Sequence, residues 1–265
     1  SKYTHSGQIK NININIKDYP KFKNKIIHLV LENEPNNLIK KEILDPHEKR
    51  LNSINRIQFQ RNQIMSVLQE FEPEDYIFYS DNDEIPNLEN LNFNNIKSKI
   101  LIFEQKLFHY KFNLLNDRIP WYGTKCTKKK NISSVSNLRN IKSKKYAFYR
   151  LDTLFSKQRF MSVKIIKNGG WHFTQLKNPS DLLEKFKNDE NYVEFDNLNI
   201  NIENIKKMID NKVIEYDHLS DSNSKLKHGH TFKLKSVNIE STMPTYLIKN
   251  MNKYRDWFDF DFENN

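Results

Sequence analysis

Residues 76–80 read Tyr-Ile-Phe-Tyr-Ser and run straight into Asp81-Asn82-Asp83. The aromatic, apolar run predicts a strand, so two carboxylates arrive together at its C-terminal end. Ahead of it, Leu51, Ile54, Ile57, Ile64, Met65, Leu68 and Phe71 recur at spacings of mostly three and four. That period predicts a helix with one apolar face, ended by Pro73. Further upstream, residues 26–31 (IIHLVL) form a short apolar run between charged residues, which predicts a buried strand. The order strand, helix, strand, carboxylates points to a parallel α/β unit in which strand ends carry the site.

With 265 residues and 37% hydrophobic side chains, the chain is long enough to bury a substantial core, and no clean linker or repeat divides it. A single domain over residues 1–265 is the simplest expectation. No stretch approaches the roughly 18 apolar residues of a membrane span, and the start, Ser1-Lys2-Tyr3-Thr4-His5, lacks a signal-peptide pattern. A cytoplasmic protein is therefore expected. Cys126 is the single cysteine, which rules out an intrachain disulfide and a cysteine-based structural zinc site. The net charge of +10 is spread along the chain, with one dense block at residues 125–130. Dispersed charge of this kind suits general solubility, or attraction to anionic sugar phosphates or to a membrane surface, better than a face that reads nucleic acid.

Residues 100–115 are long, aromatic and partly alternating, and predict one strand or a bent pair. The basic segment 125–145 is expected to be a mobile loop. Residues 163–166 lead into Gly169-Gly170-Trp171-His172-Phe173, where two of the five glycines meet. Asn178-Pro179 has the chemistry of a helix start, and residues 202–212 predict another amphipathic helix. The tail from Ser241 is too aromatic for a disordered end.

Asp81 and Asp83 are hard oxygen donors, and such a pair holds Mg²⁺ or Mn²⁺ while leaving positions for phosphate oxygens. A chance D-x-D in a surface turn is the plain alternative in a chain this rich in Asp and Asn. Arg61, in the helix, could aim a guanidinium at a nucleotide, or simply pair with a surface acid. His172 is a possible third metal ligand, although a histidine beside a tryptophan is more often packed in a core. His228 and His230 form an H-x-H that reads as solvated. Trp121 and Trp171 offer indole faces for stacking an acceptor sugar, against the usual fate of core packing. Glu84 adjoins the carboxylates, as a base or as a helix-terminal acid.

Six segments, FQRNQI, EDYIFYSDNDEIPNLENL, WYGT, NLR, GGWHFTQ and MPTYLIKN, occur in the order and approximate spacing of glycosyltransferase family 17, which the chain resembles over nearly its whole length. The resemblance implies a GT-A-like nucleotide-sugar-binding fold with a mixed central sheet flanked by helices. It implies an inverting transferase that moves a sugar, GlcNAc in the family, from a UDP-sugar to a glycan hydroxyl with Mn²⁺ or Mg²⁺. Asp81 and Asp83 would then hold metal and diphosphate, with His172 as a further metal or phosphate contact. Arg61-Asn62 would touch the nucleotide, and Arg139 would clamp the diphosphate. The family's first strand has no counterpart in this sequence, so the sheet is expected to lack it.

For inversion, a carboxylate must take the proton of the attacking hydroxyl. Glu84 is the first candidate, followed by Asp117, Asp181 and Glu104. Two other classes compete: a nucleic-acid-binding protein, favoured only by charge and aromatics, and a metal-dependent phosphoesterase using the same carboxylates.

Overall fold

The aromatic run beginning at Ile100 folds back on itself. In a computed structural model, described over residues 1–12, 14–89, 91–143, 161–188, 200–215 and 230–260, it forms strand β3 (Ile100–His109) and the start of β4 (Leu114–Lys128). Tyr110, at φ 63°, begins the turn between them. Ile100, Leu101, Ile102 and Phe103 are each at most 2% exposed. Burial on both faces explains why β3 begins as a continuous apolar run rather than an alternation.

Around this hairpin the sheet is mixed. β5 (Val163–Ile166) and β6 (Gly170–Thr174) lie one after the other along the free edge of β3, both parallel to it, with Ile100 opposite Val163 and Leu107 opposite His172. The short β2 (Glu84–Pro86) runs antiparallel to β6 and sets Glu84 opposite His172. On the far side, β1 (Tyr76–Tyr79) runs antiparallel to β4 and sets Tyr79 opposite Lys125. The main order is β1-β4-β3-β6-β2, so the strands on either side of Asp81 and Asp83 lie at opposite margins of the sheet. Among the described residues, nothing pairs with the outer edge of β1, and all four of its residues are half-buried.

Helix α1 (Pro46–Val67) starts as its sequence dictates: Asp45 and Glu48 form a capping box, and Pro46 occupies the first turn. α2 (Val135–Asn140) lies against β3, where Leu138 packs with Ile100 and Ile102. A second cluster joins α3 (Pro179–Asn188) and α4 (Ile202–Asp210) through Leu182, Phe186, Ile205 and Met208. It adjoins the two-stranded sheet of β7 (Val213–Ile214) and β8 (Phe232–Lys233), while β9 (Lys235–Ser236) adds to β4. The aromatic tail is ordered, since α5 (Ile239–Thr242), α6 (Thr245–Lys249) and the 3-10 turn Met251–Trp257 pack onto Phe108 and Phe173. Among the described residues, no helix is long and apolar enough to cross a membrane.

Two expectations change. Residues 26–31 form no strand, and Ile27, Leu29 and Val30 are exposed. Apolar content alone does not make a strand without a neighbour for its backbone. The helix that follows is held to the N-terminal segment by polar contacts instead: Asn52 exchanges two hydrogen bonds with the backbone of Ile39, and Ser53 donates to the carbonyl of His5. The basic segment is also not a loop at its start. Residues 125–128 complete β4, and residues 135–140 form α2.

Candidate functional site

Where β1 ends, the chain makes a tight turn: the Glu84 amide donates to the Asp81 carbonyl at 3.0 Å, and Glu84 Oε2 accepts from the Asp81 amide at 3.2 Å. The carbonyl of Asp83 accepts from the Phe173 amide of β6 at 2.8 Å. The carboxylates are thus fixed from both sides.

Strand alternation sends Tyr79 and Asp81 the same way, and their side chains meet as Tyr79 Oη donates to Asp81 Oδ1 at 3.0 Å. Arg61, from α1, donates through Nε to Tyr79 Oη at 3.0 Å, and its Nη2 lies 3.7 Å from Asp81 Oδ1. Arg139, from α2, spans two acids. Its Nη2 donates to Asp81 Oδ2 at 2.6 Å and to Glu84 Oε1 at 2.8 Å, while Nη1 donates to Glu84 Oε2 at 3.2 Å and to the Gly123 carbonyl at 2.9 Å. Its burial opposes the charge, but Asp81 and Glu84 outweigh that and raise its pKa.

The Glu84 side chain is 0% exposed. Besides Arg139 and the Asp81 amide, it accepts from Trp121 Nε1 at 2.8 Å. With every neighbour donating to it, this carboxylate has no free face toward solvent. Its geometry holds Arg139 and Trp121 in place.

Asp83 turns the other way, to His172, with 3.3 Å between Oδ2 and Nε2. Burial works against ionising Asp83, but the hydrogen bond and charge of His172, with the charge of Lys185, hold its carboxyl below the usual range. The His172 ring stacks on Trp121 with centroids 4.4 Å apart, and its buried Nδ1 meets no hydrogen-bond partner among the described residues.

Among the described residues, no three His, Cys, Asp or Glu side chains converge as a ready metal shell. Asp83 and His172 do fit a hard divalent cation as a pair. Two neighbouring ligands of an octahedral ion bound at about 2.1 Å sit about 3 Å apart, close to their observed separation. Asp81 is directed to the arginines instead of to this pair.

The remaining expected residues divide. Trp121 belongs to the site. Trp171 does not, because alternation along β6 sends it to the opposite face from His172, where Nε1 donates to the Thr242 carbonyl at 2.6 Å. Asn62 lies in the same helix as Arg61, but its Oδ1 accepts from the Ser136 amide at 3.2 Å, tying α1 to α2. Asp117 is exposed on β4 beside Arg118, whose guanidinium lies 3.5 Å from the Phe232 ring, and the network around Arg139 does not include it. Asp181 is part of the start of α3, where its Oδ2 accepts from Asn178 Nδ2. Glu104 pairs with Lys167. His230 lies near Phe232, with ring centroids 6.3 Å apart, and His228 lies outside the described residues.

The sequence reading missed Tyr79, Lys125 and Lys185. Tyr79 was detectable as the strand neighbour two residues before Asp81. Lys125 was masked by the basic block that it opens. It is 5% exposed and donates to the Ile141 carbonyl, and burial followed by repulsion from Arg139 lowers its pKa to about 8 against the pull of Glu84 and Asp81. The charge of Lys185 reaches Asp83 from α3.

Comparison with family models, with curated proteins and with solved structures finds no match for this chain.

Proposed function

We propose that this protein is a metal-dependent glycosyltransferase that moves a sugar, GlcNAc by the resemblance, from a UDP-sugar to a glycan hydroxyl with inversion, on a GT-A-like fold. The observation that supports it most is the pairing of Asp83 with His172 beside two arginines directed to Asp81. A cation-binding pair next to two guanidinium groups is what recognition of a diphosphate requires, since guanidinium forks match phosphate oxygens.

In this reading Asp83 and His172 would hold Mn²⁺ or Mg²⁺, which when bound would supply charge stabilisation to a departing diphosphate. Arg139 and Arg61 would exchange part of their contact with Asp81 for phosphate oxygens when the donor binds. Glu84 keeps Arg139 in place as it does so, because its bonds to Arg139 and Trp121 need not break. Tyr79 holds Arg61 and Asp81 at a fixed separation. Trp121, stacked on His172, bounds the space in which a sugar would sit.

The test is donor binding and turnover. UDP-GlcNAc with Mn²⁺ should raise the melting temperature of the chain, because a ligand that prefers the folded state stabilises it. His172→Ala and Asp83→Ala should abolish the metal-dependent part of the shift, and Arg139→Lys should weaken it by losing the bidentate fork. A panel with UDP, GDP, CMP and their sugars identifies the donor. No shift with any nucleotide in the folded chain, or a shift unaffected by Asp83→Ala, would overturn the reading.

A further inference from the structure

On the face of β6 away from His172 lies a cleft of about 270 Å³, bounded by the end of β2, the turn between β5 and β6, and the segment joining α5 to α6. One wall is Trp171. Its ring is half-buried against the cluster of Phe108 and Phe173, and its Nε1 is held by the Thr242 carbonyl at 2.6 Å, so the orientation of the indole is fixed. Apart from Met243, the rest of the lining is mostly polar and uncharged: Asn87 and Asn168 supply amides, and Ser241 and Thr245 supply hydroxyls. Glu89 and Lys106 contribute one charge of each sign, so the cleft has no ionic preference.

The floor is rigid. Gly170 sits at φ +128°, and a side chain there would place its Cβ 2.1 Å from the Ile85 carbonyl oxygen, so β2 and β6 approach as closely as glycine allows. Asn168 holds φ 49°, a left-handed conformation that Asn tolerates better than most residues. Its side chain is therefore set at the rim by the turn itself.

We propose that this cleft binds a single neutral saccharide unit. A pyranose presents an apolar C–H face and a rim of hydroxyls, and the cleft offers the accessible part of a half-buried indole and a rim of amides and hydroxyls. A nucleotide or a phosphate would need clustered cations, and Lys106 alone, opposed by Glu89, does not provide them. A metal would need more than one acid. The volume is just below the range of about 300–1,000 Å³ for small-molecule sites, which suits one sugar ring and not an oligosaccharide. The proposal does not rest on the transferase reading, because Trp171 and His172 leave β6 on opposite faces.

The experiment is saturation-transfer NMR of the whole chain with N-acetylglucosamine, mannose, galactose and glucose at millimolar concentration, without nucleotide or metal. At least one sugar should receive saturation through its ring C–H protons. Thr245→Trp, a change at an exposed position, should fill the cleft and cut the signal at least five-fold, and Trp171→Ala should do the same. Asp83→Ala should leave it unchanged. If Trp171→Ala fails to fold, Thr245→Trp decides alone, with circular dichroism confirming its fold. No transfer to any of the four sugars overturns the proposal. So does a signal that survives Thr245→Trp, and so does one that vanishes in Asp83→Ala, which would put the sugar at the carboxylates.

Discussion

Lys125 and Asp83 face the same problem, a charge taken out of water, with opposite outcomes. Burial disfavours the charge on Lys125 and Arg139 adds repulsion, so its pKa falls to about 8 while the unfolded chain keeps it near 10.5. Between those values the unfolded state binds more protons than the folded one, so stability rises with pH across that window. The slope reaches up to about 1.4 kcal/mol per pH unit. Lys125→Met removes the titrating group, and urea midpoints measured across the same alkaline window should lose most of the rise. For Asp83 the folded pKa lies below the unfolded one, so its contribution is present above the unfolded carboxylate range and disappears as pH falls through the folded value. Asp83→Asn should therefore flatten the acid limb of the same stability profile. Both residues stand in plain view in the sequence, yet only one was legible as part of a site. A carboxylate at a strand end points to a site, whereas a lysine at the head of a basic block gives no sign that it is buried with Thr124, Cys126 and Thr127 while Lys130 stays exposed.

At the scale of elements, the site depends on how closely β4 passes β2 and β3. Gly123 is where they meet: a Cβ added there would lie 1.9 Å from Gln105 Oε1 and 2.8 Å from both Glu84 Cδ and Trp121 Cδ1. The pairing of β3 with β4 is irregular on both sides of Gln105, which gives the sheet the local bend this approach uses. Gly123→Ala should destabilise the protein by about 1–3 kcal/mol, as overpacking of a tight site does. Adding Gln105→Ala should recover part of that loss by removing the nearest atom, and a double-mutant cycle in chemical denaturation measures the coupling. Full additivity of the two changes would show that Gly123 is not held by this contact. The sequence shows this glycine only within the segment WYGT, because the reason for it is on another strand. In contrast, the presence of α1, the end of β1 and the start of α3 were legible, since capping residues and proline act within a few positions of themselves, although the residues α1 buries are Asn52 and Ser53, and Leu51 of its expected apolar face is exposed.

For the whole molecule, the α/β class followed from the alternation of strand-like and helix-like runs, but the mixed pairing of the sheet and the role of residues 26–31 did not. A strand is completed by its neighbour, and periodicity within one segment carries no information about whether that neighbour exists. The margin beside β1, open among the described residues, has a related effect on the protein in bulk. An unpaired strand edge offers backbone donors and acceptors to any second chain that presents its own, and here Ile27, Leu29, Val30 and Phe71 are also exposed. Sedimentation velocity over a wide concentration range should show reversible growth in mass. Ile77→Lys, a charge placed on that edge strand, should suppress the growth, while a mass independent of concentration would show the edge to be inert. Concentration thus joins temperature and pH as a variable that sets what species a solution contains. Two preparations that differ only in how far they were concentrated would be different mixtures, and rates normalised to mass would report the degree of association as well as the chemistry.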